Sequence, residues 1–90
     1  MKARCVLYSG RVQGVGFRYA VKQLAAGYEV SGYVRNLPDG NVELRLQGAP
    51  EEVKAMEQAV MESYLQGFIQ KTIAEDVAVD EKIKGFQILT

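Results

Sequence analysis

Residues 2–25 read K-A-R-C-V-L-Y-S-G-R-V-Q-G-V-G-F-R-Y-A-V-K-Q-L-A, and the hydrophobic period changes in the middle of the run. From Lys2 to Ser9 side chains alternate, with Ala3, Cys5 and Leu7 on one face and Arg4, Val6 and Tyr8 on the other, which predicts a strand. Gly10 to Gly16 is too rich in glycine to continue a strand or begin a helix comfortably. From Phe17 onward Phe17, Val21, Leu24 and Ala25 recur at helical spacing with Lys22 and Gln23 turned outward, and Gly27 is a helix stop.

Working outward, Glu29 to Arg35 alternates again, with Val30 and Val34 set against Ser31, Tyr33 and Arg35. The turn signal N-L-P-D-G follows. Val42, Leu44 and Leu46 then alternate with Glu43, Arg45 and Gln47, a third strand hairpinned to the second. Pro50 suits a helix's first turn, and Glu51 and Glu52 favour its positive end. Val53, Met56, Val60 and Tyr64 form that helix's apolar stripe, and the helix is expected to stop before Gly67. Lys71 to Val79 reads as a fourth strand and Phe86 to Leu89 as a short fifth. The order predicts an α+β fold: a ferredoxin-like βαββαβ sandwich with an added C-terminal strand and two helices on one face of a mainly antiparallel sheet. The 90 residues are expected to form one domain, 1–90.

Eleven basic residues balance eleven acidic ones, so no global positive field draws the chain to nucleic acid or anionic membranes. There is no histidine, which removes the commonest general base and metal ligand, and Cys5 is the only cysteine, which excludes an internal disulfide and a C-x-x-C pair. No apolar run approaches a membrane span. The basic start lacks the long apolar stretch and cleavage site of a signal peptide, so a cytoplasmic protein is expected.

Function is carried by G-R-V-Q-G-V-G-F-R, Gly10 to Arg18, which lies between a strand and a helix start. Glycines let successive backbone N–H groups turn inward as an anion-binding nest, and the following helix adds its own unpaired N–H groups and dipole. Arg18, in the first helical turn, can clasp two phosphate oxygens with its fork. The P-loop pattern fails because no Lys-Ser or Lys-Thr pair closes the loop, and a dinucleotide G-x-G-x-x-G starting at Gly14 meets Tyr19 instead of glycine. Such a segment can also be a plain tight connection, but three glycines in seven positions exceed what that needs. Asn36 ends the second strand. In a ferredoxin-like sheet the first and second strands run the same way with the third between them, so Arg18 and Asn36 face each other across roughly 9–10 Å, two strand spacings. An uncharged amide can orient a water independently of pH. Taken alone, Asn36 reads better as a turn residue ahead of Pro38-Asp39-Gly40, where asparagine is common.

Together G-R-V-Q-G-V-G-F-R and G-Y-V-R-N-L-P-D-G-N-V-E, Gly32 to Glu43, resemble the two signature segments of the acylphosphatase family. The resemblance covers the first half of the chain closely and weakens over residues 72–84. It implies hydrolysis of acyl phosphates to a carboxylate and inorganic phosphate, without metal or other cofactor. It also implies catalytic roles for Arg18 and Asn36, with backbone amides of Gln13, Gly14, Val15, Gly16, Phe17 and Arg18 completing the phosphate cradle. The expected partners are an acyl phosphate and inorganic phosphate, with no nucleic acid and no membrane, and the expected state is a monomer. Acylphosphatase-like domains also occur within larger carbamoyl-transferring maturation proteins; the short chain and its start favour a free-standing enzyme. An RNA-binding module of the same topology is disfavoured by the missing R-G-F-G-F-V type of pattern and the zero net charge. Tyr8 and Tyr33 could flank the site, though aromatic residues on strands more often pack against neighbours. Arg11 and Arg35 are expected to be solvated, and Cys5 to be a small buried residue.

Overall fold

In the computed structural model, which describes residues 1–90, the elements are β1 (Lys2–Gly10), α1 (Phe17–Ala25), β2 (Val30–Asn36), β3 (Val42–Gly48), α2 (Pro50–Glu62), β4 (Ile69–Val77) and β5 (Phe86–Ile88). The strands form one sheet in the order β4-β1-β3-β2-β5. Every neighbouring pair is antiparallel except β2 and β5, which run parallel at one edge. This is the expected ferredoxin-like sandwich: β1 and β2 point the same way with β3 between them, and both helices pack on one face.

The hydrophobic alternation selects that face. Val6 and Tyr8 of β1, Val34 of β2 and Val42, Leu44 and Leu46 of β3 are fully buried beneath Phe17 and Val21 of α1 and Val53, Met56 and Val60 of α2. A one-residue slip of β3 would exchange Val42, Leu44 and Leu46 for Glu43, Arg45 and Gln47. Each large apolar side chain is worth about 1.5–3 kcal/mol when buried, so no shifted register competes.

β4 and β5 lie at opposite edges, so residues 78–85 must cross the face of the sheet that the helices leave open. Two open-face side chains of β3 hold this strap. Gln47 donates to the Asp80 carbonyl at 2.8 Å and accepts from the Asp80 N–H at 3.1 Å, and the Arg45 guanidinium donates to the Ala78 carbonyl. The strap explains why Gln47, a polar residue on the outward parity, is buried.

Four expectations need correction. The second α-helix stops before Gly67 as expected, but already at Glu62, so Tyr64 is not on its apolar stripe: Ser63 is extended, its Oγ donates to the Val60 carbonyl at 2.7 Å and accepts from the Leu65 N–H at 3.2 Å, and a 3-10 turn follows over Tyr64–Phe68. The break turns Leu65 into the core in place of Tyr64, which is exposed. The fourth strand is Ile69–Val77 instead of 71–79, because its pairing with β1 begins directly after the 3-10 turn. Cys5 is half-buried on the open face, not in the core, because it shares parity with Leu7 and not with Val6. Arg35 is not simply solvated: its Nε pairs with the Glu43 carboxylate at 2.7 Å and its guanidinium lies 5.6 Å from the Tyr33 ring centre.

Candidate active site

Where β1 ends, the chain leaves the sheet through residues 11–16 and enters α1. Gly14 and Gly16 have φ of +77° and +79°, left-handed values that a β-carbon disfavours, and Gly16 is the residue that caps α1. No backbone N–H from Gln13 to Gly16 donates to a protein acceptor, and α1 makes its first bond only at Ala20, to the Gly16 carbonyl at 3.0 Å. The N–H groups of Phe17, Arg18 and Tyr19 are therefore also unpaired, as at any helix start. Because it has no side-chain cap, the positive end of α1 stays free for an anion.

Arg18 stands in that first turn and makes no ion pair with any carboxylate of the chain, whereas Arg4 and Arg35 are both paired. It lines a cleft of about 190 Å³ together with Val12, Gly14, Gly16, Phe17, Tyr19, Asn36 and Ile88. Asn36, at the end of β2, lines the same cleft. Its side-chain Oδ1 is buried without a hydrogen-bond donor, so it is an acceptor that the fold itself leaves unused. Its backbone is held firmly: the Asn36 N–H donates to the Thr90 carbonyl at 2.8 Å, and its carbonyl accepts from the Thr90 hydroxyl.

The cleft thus brings together Gly14, Gly16, Phe17, Arg18 and Asn36. It does not include Val15, which packs against the core, or the side chain of Gln13, which reaches away to the β2–β3 turn. Tyr8 and Tyr33 do not flank it. Tyr8 is buried against Phe17, with ring centres 5.2 Å apart, and Tyr33 lies on the open face beside Arg35. A larger hollow, about 770 Å³, runs along α2 and the start of β1 at the far end of the sheet. Its only arginine, Arg4, is committed to Glu57 and Asp76, so the size of that groove does not mark the chemistry.

The acylphosphatase family profile matches residues 4–88. The chain belongs to the acylphosphatase family. It is 40% identical over 91 residues to the acylphosphatase of Methanospirillum hungatei, covering 100% of this chain and 96% of that one. The crystal structure of acylphosphatase from Bacillus subtilis superposes with a TM-score of 0.89 at 29% identity, covering 100% of both chains. HypF of T. kodakarensis is similar over 100% of this chain but only 12% of its own, with a TM-score of 0.84 at 26% identity.

Within this family member, sequence reasoning missed two parts of the site's frame. One is the C-terminal end, where Ile88 enters the cleft wall and Thr90 fastens Asn36. The parallel pairing of β5 with β2 that puts them there has no local sequence signal. The other is Gln13, whose position inside the glycine loop directed attention to its backbone rather than to its amide side chain.

Proposed function

We propose that the chain hydrolyses acyl phosphates by direct attack of water on phosphorus, with Arg18 and the loop amides holding the phosphoryl group and Asn36 orienting the water. One observation carries the reading: Arg18, free of any carboxylate, and Asn36, with an unused acceptor, line one cleft whose loop presents unpaired N–H groups. Phosphoryl transfer depends mainly on positioning and on stabilising charge over the phosphoryl oxygens. Fixed amides and a guanidinium fork are suited to that task. As water bonds to phosphorus, the bond to the acyl oxygen breaks and its electron pair leaves on a carboxylate. Both hydrogens of the water stay with the phosphoryl oxygens, so the product is dihydrogen phosphate that equilibrates with solvent. The conjugate acid of that leaving group has a pKa near 4, so it departs without a protonating residue, which fits a site built without histidine.

The cleft is below the roughly 300 Å³ at which pockets for larger ligands begin, so the acyl group lies at its mouth. There the exposed ring of Tyr19 and the side of Ile88 are its neighbours. Both proposed catalytic side chains come from one chain, and the proposed active unit is a monomer.

Release of phosphate from benzoyl phosphate, measured beside a phosphate monoester, tests the activity; the anhydride alone is expected to turn over, with or without a chelator. Arg18→Ala is expected to remove nearly all phosphate binding and turnover while leaving the circular dichroism spectrum intact. Asn36→Ala is expected to cut kcat by about 10²-fold, the order seen when a reacting group is misplaced, with a smaller change in phosphate inhibition. Parental activity in both variants would remove the mechanism.

A further inference from the structure

Arg18 and Asn36 stand on segments that are not neighbours in the sheet, since β3 separates β1 from β2. Backbone pairing fixes Asn36, but the loop carrying the amides leaves β1 at Gly10 and rejoins regular structure only at Phe17. One side chain spans the gap. Gln13 Nε2 donates to the Leu37 carbonyl at 2.9 Å and to the Asn41 carbonyl at 2.9 Å. These carbonyls already close the mouth of the β2–β3 turn: the Asn41 oxygen accepts from the Leu37 N–H at 2.8 Å and the Leu37 oxygen from the Gly40 N–H at 3.1 Å. Both contacts are to oxygens, so the amide can face the turn only with its nitrogen; turned over, Oε1 would oppose two acceptors. Both hydrogens of one amide are thereby spent on the turn that begins at the residue after Asn36.

We propose that Gln13 is a positioning residue: its carboxamide sets the distance and angle between the phosphate-holding loop and Asn36, and so the line along which water approaches phosphorus. The proposal rests on the reading of Arg18 and Asn36 given above. The Gln13 side chain touches neither substrate nor water; it acts through the relation between two walls of the cleft. A loop released from the turn still presents its amides and Arg18 to an anion, but no longer at a fixed offset from Asn36. Loss of Gln13 therefore falls on kcat and not on phosphate affinity.

A double-mutant cycle with benzoyl phosphate, reading kcat and competitive inhibition by inorganic phosphate, tests this. In the parent background Gln13→Ala is expected to lower kcat by about 10- to 100-fold, the scale of a misaligned reacting group, and to leave the inhibition constant for phosphate within about threefold. In the Asn36→Ala background the same substitution is expected to change kcat by less than about threefold, because the offset it controls no longer matters. An undiminished loss in that background, no loss in the parent, or an equal loss of phosphate affinity overturns the proposal. If Asn36→Ala by itself keeps parental kcat, the failure belongs to the role of Asn36 and is visible as such. Gln13→Glu, which preserves side-chain length, repeats the test if Gln13→Ala does not fold. Its carboxylate opposes two carbonyls at neutral pH and regains one donor on protonation, so its kcat relative to the parent is expected to rise as pH falls. A deficit that does not vary with pH overturns the proposal.

Discussion

Gly16 shows how one backbone angle serves both fold and site. Its φ of +79° caps the start of α1, whose first amides have no partner in the chain, while the space where a β-carbon would stand is open. Gly16→Ala therefore meets no steric wall, only the cost of a left-handed conformation, about 1–2 kcal/mol. The expected outcome is a lower Tm together with weaker phosphate binding, as the chain relaxes the angle and swings the amides; a thermal melt and a phosphate titration check both. The other residue-scale contrast is Cys5. Burial, and then the Glu43 carboxylate beside it, pushes its thiol above the ordinary value, so the thiolate is scarce and this lone cysteine is a poor nucleophile.

Among the elements, α2 is joined to the sheet by charge as well as by its apolar stripe. Arg4 of β1 donates through Nε to Glu57 of α2 at 3.0 Å and through Nη1 to Asp76 of β4 at 2.8 Å, so one guanidinium links three elements. The hydrogen bond from Arg4 holds the Asp76 carboxyl below the usual aspartate range. A depressed carboxyl pKa stabilises the fold above the unfolded value, about 3.9, and that contribution is lost as pH falls through this range and below it. Asp76 is exposed, so the effect is small and screened by salt. Asp76→Asn is expected to melt slightly below the parent at about pH 7, with the gap closing by about pH 2. A gap in Tm that stays constant across that range would contradict the linkage.

At the scale of the whole molecule, the strap 78–85 is the price of placing β4 and β5 at opposite edges. Gln47 anchors it with a donor and an acceptor to Asp80. Gln47→Ala leaves both Asp80 backbone groups without their partner and is expected to cost about 1–3 kcal/mol in denaturant unfolding. Amide exchange at Asp80 should quicken, while kcat stays at the parental value because Gln47 sits near the end of β3 farthest from the cleft. Unchanged stability would show the strap to be held elsewhere.

How much of this was legible follows from the range of each signal. Periodicity is local, so the residues alone determined the order of strands and helices, the buried parity of Val42, Leu44 and Leu46, and the candidacy of Arg18 and Asn36 through their motifs. Ser63 ends α2 early through its own hydroxyl, a local event that the continuing apolar spacing to Tyr64 concealed. Side-chain destinations across the sheet were not legible, because a glutamine in a glycine loop and a glutamine on a strand look alike in one dimension. Only the tertiary structure decided that Gln13 reaches across to Leu37 and Asn41, that Gln47 is buried under a strap, and that Thr90 fastens Asn36. Those contacts join residues far apart in the chain, and nothing in their neighbouring sequence specifies the partner.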